Sequence, residues 1–148
     1  MRRQNVDVLL KVRSARESTA LAELGVQRHE VNGLQMQLEE ATSNLAHLVM
    51  SGARNVNHAK NLATLRSSSA ACLRQITDSL LLAQLREREA RERWIVANRE
   101  KEIGQELVDR QVKADSDEAT RVAHKETEDL SRGRLIVRSS TSDGGESS

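Results

Sequence analysis

The stretch from Leu10 to Leu48, LKVRSARESTALAELGVQRHEVNGLQMQLEEATSNLAHL, decides the fold. Leu10, Leu24, Val31, Leu38 and Leu45 share one position of a seven-residue repeat, and Ala20, Leu34, Ala41 and Leu48 share a second, three residues further on. Two apolar positions per heptad form a stripe along one side of a helix, the seam that a coiled coil buries against its neighbour. Arg13, Glu17 and Gln27 interrupt that seam, so this helix depends on a partner for its stability. Gly25 and Gly33 weaken it further, each by up to about 1 kcal/mol relative to alanine.

The composition points the same way. Among 148 residues there is no Pro, Phe or Tyr and a single Trp, while 30% are charged. Globular cores of this size draw much of their buried area from aromatic side chains, whereas Leu, Val, Ile and Ala suit a narrow helical seam. A compact enzyme with an enclosed pocket is therefore not expected. The 23 basic and 22 acidic residues nearly cancel, leaving no bulk field to recruit nucleic acid or an anionic membrane. One cysteine, Cys72, excludes an intramolecular disulfide and fits a reducing compartment. The basic N-terminus is followed by an apolar stretch that stops at Leu10, too short for a secretory core. The densest apolar run, Leu80 to Ala83, falls far short of the roughly 20 residues of a membrane span. The expectation is a soluble, cytoplasmic protein.

Outward from the first helix, assigned to residues 1–50, Gly, Ser and Asn collect over 51–57 and predict the hairpin turn. Asn55 or Asn57 is placed to cap the next helix. That second helix is expected over 58–132, with Ile76, Ala83, Ala90, Ala97 and Gly104 at one seam position and Leu73, Leu80, Trp94, Val108 and Val122 at the other. Glu87 with Arg91 and Glu89 with Arg93 stand four apart, in the orientation that favours ion pairing along a helix. Beyond Val108 the seam turns polar at Gln111, Asp115 and Glu118, so only a partner would order that end. At 1.5 Å per residue the arms would reach roughly 70 and 110 Å, and the longer must overhang the shorter. Residues 133–148 read as a mobile Ser/Gly-rich tail, with Leu135, Ile136 and Val137 either a docking peptide or a solvated end. The fold expected is all-α, a long antiparallel two-helix coiled-coil hairpin with a disordered C-terminal tail.

Catalytic chemistry is not legible. No GxxxxGK[ST] or GxGxxG pattern occurs, and His29-Glu30 is followed at position 33 by glycine instead of the second histidine of a zinc-protease helix. The four histidines are too dispersed for a local metal cluster. Cys72, beside the seam residue Leu73, reads as a small buried apolar side chain. Catalytic residues, cofactor and metal are accordingly expected to be absent. Arg86, Arg88, Arg91 and Arg93 are interleaved with glutamates and lack stacking aromatics, which disfavours nucleic-acid binding. Trp94 has two readings, a large seam residue packing over Ala or Gly of the other arm and a binding anchor.

The second helix resembles a known family. Trp94-Ile95-Val96-Ala97-Asn98-Arg99-Glu100-Lys101, then Leu107-Val108-Asp109-Arg110-Gln111, then Lys125-Glu126-Thr127-Glu128-Asp129-Leu130 looks like the C-terminal arm of the FliJ/YscO family, the stalk proteins of flagellar and virulence type III secretion. Chain length, the two-arm layout and the longer second arm are also similar. Flagellar members carry aromatics near the turn, where this chain has none, so the resemblance leans to the virulence branch.

The resemblance implies a non-catalytic, monomeric hairpin. It would enter the pore of a hexameric type III secretion ATPase, link that ring to the export gate protein and escort secretion chaperones. Its place would be the bacterial cytoplasm, peripheral to the inner-membrane export apparatus, without membrane insertion or nucleic acid. On this reading Leu9, Leu10, Val12, Asp109, Arg110, Gln111 and Val122 are the ring contacts, and Leu38, Ala41, Leu45, Leu65, Cys72 and Ile76 are the gate or chaperone contacts. The alternative is a generic coiled-coil scaffold or homodimeric adaptor that uses the same heptads between chains.

Overall fold

A computed structural model of the chain describes residues 3–142. It contains two helices, α1 over Arg3–Met50 and α2 over Val56–Ser142. Two compact units divide the chain, Lys11–Glu102 and Met1–Leu10 with Ile103–Ser148.

Within Lys11–Glu102 the helices pack as an antiparallel hairpin along the seam the heptads define. On α1, Arg13, Glu17, Ala20, Leu24, Gln27, Val31, Leu34, Leu38, Ala41, Leu45 and Leu48 are all buried or half-buried, at unbroken spacings of four and three. On α2 the matching series runs from Leu62 through Leu73, Leu80, Ala83, Ala90, Trp94 and Ala97 to Lys101. Leu24 and Ala83 are 1% exposed and Ala90 is fully covered. Small residues let the backbones approach, and complete burial of a leucine contributes about 1.5–3 kcal/mol. Val31, Leu80 and Ala83 form the central cluster, with Leu34 and Leu38 against it. Direction and register are also written in charge. As α1 climbs through Glu17, Glu23, Arg28 and Glu30, its ion-pair partners on α2 descend through Lys101, Arg93, Glu87 and Arg86.

The turn is built from caps. Asn55 Oδ1 accepts the His58 backbone N–H at 2.7 Å, and His58 Nδ1 accepts the Arg54 N–H at 2.9 Å. Asn55, one of the two caps proposed, is thus the N-cap, and α2 begins at Val56, two residues before the expected 58. The C-terminal carbonyls of α1, which no helical N–H can reach, are met by a side chain from α2. Arg66 donates Nε to Leu48 O at 2.8 Å and Nη2 to Val49 O at 3.4 Å and Ser51 O at 3.0 Å. Among the described residues no glycine takes a positive φ. This guanidinium does the work that a left-handed glycine does at many helix ends.

In the other unit Val6 is 4% exposed, Leu9 and Leu10 are half-buried, Gly104 is buried, and Val108 and Gln111 are half-buried. From Val112 to Ser139 every side chain is exposed. Val122, placed on the seam by the heptad, is 43% exposed, because the repeat carries only Asp115 and Glu118 between it and Gln111. α2 also continues beyond Arg132, through Gly133 to Ser142. Residues 133–142 thus extend the helix ten residues past its expected end at 132. No proline stops the helix, one glycine costs only about 1 kcal/mol, and Leu135 and the flanking arginines favour continuation. Residues 143–148 of the expected tail lie outside the described residues.

Candidate functional site

The polar residues that interrupt the α1 seam build its most specific layer. Glu17 is buried, and its Oε1 accepts the Trp94 Nε1–H at 3.0 Å while its Oε2 lies 3.4 Å from Lys101 Nζ. The indole hydrogen bond holds the Glu17 carboxyl below its ordinary range, with the charge and hydrogen bond of Lys101 adding to the effect and desolvation opposing it. One turn earlier, Arg13 Nη1 donates to the Glu100 carbonyl at 3.0 Å. Gln27 is different, since its Oε1 is buried without a hydrogen-bond partner. Trp94 is a half-buried seam residue whose indole is tethered to Glu17 across the hairpin.

The proposed ring contacts divide between the two units. Val12, 44% exposed, lines a shallow groove with Ala15, Arg16, Thr19, Ala20, Glu23 and Arg93. In the other unit Leu9, Leu10 and Gln111 are half-buried, and Asp109, Arg110 and Val122 are exposed. Asp109 accepts from Gln105 at 3.0 Å, Arg110 pairs with Glu106 at 2.6 Å, and Gln111 donates to Asp115 at 3.1 Å. Consecutive helical residues point about 100° apart. The Asp-Arg-Gln run therefore cannot present one face to a partner, and Asp109 and Arg110 are its outward members.

Of the proposed gate or chaperone contacts, Leu38, Ala41, Leu45 and Ile76 are half-buried at seam positions and turn toward the opposite helix. Leu65, 51% exposed, and Cys72 face outward. The exposed thiol corrects the expectation of a buried one: Leu73 occupies the seam, and the preceding residue is rotated off it. Near the turn the sequence also left unread Val49, Met50 and Val56, which are 61%, 87% and 72% exposed. Their signal was apolar residues lying off the heptad positions at a helix end.

Glu87 and Arg91 pair at 2.9 Å as expected, but Arg93 pairs with Glu23 of α1 at 3.3 Å and not with Glu89. A contact across the hairpin competes with a contact along one helix, and only the second is visible in a local spacing. Among the described residues no group of three or more His, Cys, Asp or Glu is placed to hold a metal ion, and no helix is long and apolar enough to cross a membrane.

The class that this geometry defines is an antiparallel two-helix coiled-coil hairpin. Comparison with protein families, curated proteins and solved structures finds no match to the chain.

Proposed function

We propose that the chain is a non-catalytic central-stalk component of a type III secretion system. It binds the export ATPase ring, couples that ring to the export gate and escorts secretion chaperones, in the bacterial cytoplasm at the inner-membrane apparatus. The observation that carries this reading is the continuation of α2 as exposed helix beyond Gln111, the last covered seam position. Such a helix offers a partner a long polar surface with exposed apolar points at Val112, Val122 and Leu130. The two-arm layout and the Trp94 to Gln111 stretch, which resemble the FliJ/YscO family, support the same reading. Asp109, Arg110, Val122 and Val12 are the outward ring contacts, and Leu65 and Cys72 the outward gate or chaperone contacts.

The test is a binding and turnover assay with a hexameric type III export ATPase. Co-sedimentation with the hexamer and a raised ATP turnover are expected. Failure to bind any such hexamer would leave the chain a generic coiled-coil scaffold.

A further inference from the structure

The near-cancellation of charge over the whole chain hides a local imbalance at the turn. From residue 41 to residue 77 there is no Asp or Glu, while Arg54, Lys60, Arg66 and Arg74 all lie in that stretch. The first three place their charge at the tip of the hairpin. Arg54 belongs to the turn itself, and Lys60 stands four residues after Val56, on the same side of α2. Arg66 starts further back, but its guanidinium reaches the end of α1, 2.8 Å from Leu48 O and 3.0 Å from Ser51 O. None of the three makes an ion pair among the described residues. The nearest acidic residue along α1, Glu40, lies about 15 Å of helix back from Met50.

The same tip is apolar at its outermost points, with Met50, Val56 and Val49 exposed by 87%, 72% and 61%. Successive residues of a helix point about 100° apart, so Val49 and Met50 diverge, and Val56 comes from the other arm. These side chains project from a convex end instead of lying along one helix face.

We propose that the turn end of the hairpin is a peripheral membrane-binding tip whose ligand is the headgroup layer of an anionic phospholipid bilayer. Cations in a carboxylate-free zone are drawn to the negative surface potential of acidic lipids, and aliphatic side chains among them enter the boundary between headgroups and acyl chains. A bilayer yields around a convex end, whereas a protein partner would need a matching hollow. A second copy brought tip to tip would set Arg54 and Lys60 against like charge. Nucleic acid would leave Met50 and the two valines unused, and no aromatic stands beside these cations for a base to stack on. Among the described residues no helix is long and apolar enough to cross a membrane, so the contact is one with the surface layer.

The proposal stands apart from the secretion reading and is tested without any ATPase. The full chain is expected to co-sediment with vesicles of equal parts phosphatidylglycerol and phosphatidylcholine and not with phosphatidylcholine alone, and added salt should weaken the binding. Arg54→Gln with Lys60→Gln is expected to weaken it roughly 25-fold, at about fivefold for each charge removed. Val56→Asp, an acidic residue in the first turn of α2 where the helix favours one, should keep the melting temperature and lose the binding. In a Cys72→Ser background, a nitrobenzoxadiazole label at Met50→Cys is expected to brighten and shift to the blue on the acidic vesicles. The same label at Met36→Cys, exposed and about 21 Å back along α1, should not respond. No binding to the acidic vesicles, equal binding to the neutral ones, or a response at position 36 in place of 50 would overturn the proposal. So would capture by polyglutamate or duplex DNA without binding to vesicles, which would assign the tip to an acidic macromolecule.

Discussion

The indole N–H of Trp94 donates across the hairpin to the buried carboxylate of Glu17 at 3.0 Å, and Lys101 closes on the other carboxylate oxygen at 3.4 Å. The only aromatic side chain of the protein thus neutralises what would otherwise be the worst residue in the α1 seam. Removing one member leaves a buried polar group under-satisfied. Trp94→Phe is expected to lower the melting temperature by several degrees, and so is Glu17→Gln. The double variant should lose less than the sum, which a double-mutant cycle followed by circular dichroism measures.

Acid should loosen the same layer. Glu17 ionises more readily in the folded chain than at its ordinary value of 4.5, so its contribution is complete above that value and is lost as pH falls through the lower folded-state value. Glu118, held down by Arg121, adds an exposed contribution of the same sign. Thermal unfolding followed from neutral to strongly acidic pH should therefore fall less steeply for Glu17→Gln than for the parent chain.

Gln27 has no such rescue. Its Oε1 is buried and unpaired at a seam position, and Gln27→Leu replaces that orphan with apolar surface. Chemical denaturation should show a gain of about 1–2 kcal/mol.

Gly25 and Gly33 lie within α1, and a Cβ added at either meets nothing within 4 Å. Gly25→Ala and Gly33→Ala should each stabilise the hairpin by roughly 0.5–1 kcal/mol in denaturant titration.

Arg66 holds three carbonyls at the end of α1. Arg66→Met keeps the apolar stem and removes the donors, so it should cost about 1–3 kcal/mol. Amide exchange should quicken in the last turn of α1 and the loop to Arg54, while protection near Leu24 and Ala83 changes far less.

How much of this was legible follows from where each signal lives. The heptads at Leu24, Val31, Leu80 and Ala90 carried the seam and the hairpin, because a burial pattern of period seven is a property of one helix at a time. Arg13 and Glu17 read as interruptions, because their compensation comes from Glu100, Trp94 and Lys101, more than eighty positions away in the chain for all but Trp94, at seventy-seven. Arg66 was invisible for the same reason, and so was the choice of Glu23 over Glu89 as the partner of Arg93. Among the proposed contacts, Leu38, Ala41, Leu45 and Ile76 were chosen for being apolar near the turn, the same property that commits them to the seam. Val49, Met50 and Val56, apolar but off the repeat, are what the turn exposes.

The stalk reading rests on the outward residues of α2, and one measurement tests it most directly. Asp109→Ala, Arg110→Ala and Val122→Ala combined alter exposed side chains only, so the hairpin should melt as the parent does. Added to a hexameric type III export ATPase, the parent chain is predicted to raise ATP turnover and the triple variant to lose most of that stimulation. Equal stimulation by the two chains would contradict the assignment of these residues, and no stimulation by the parent chain would contradict the stalk itself.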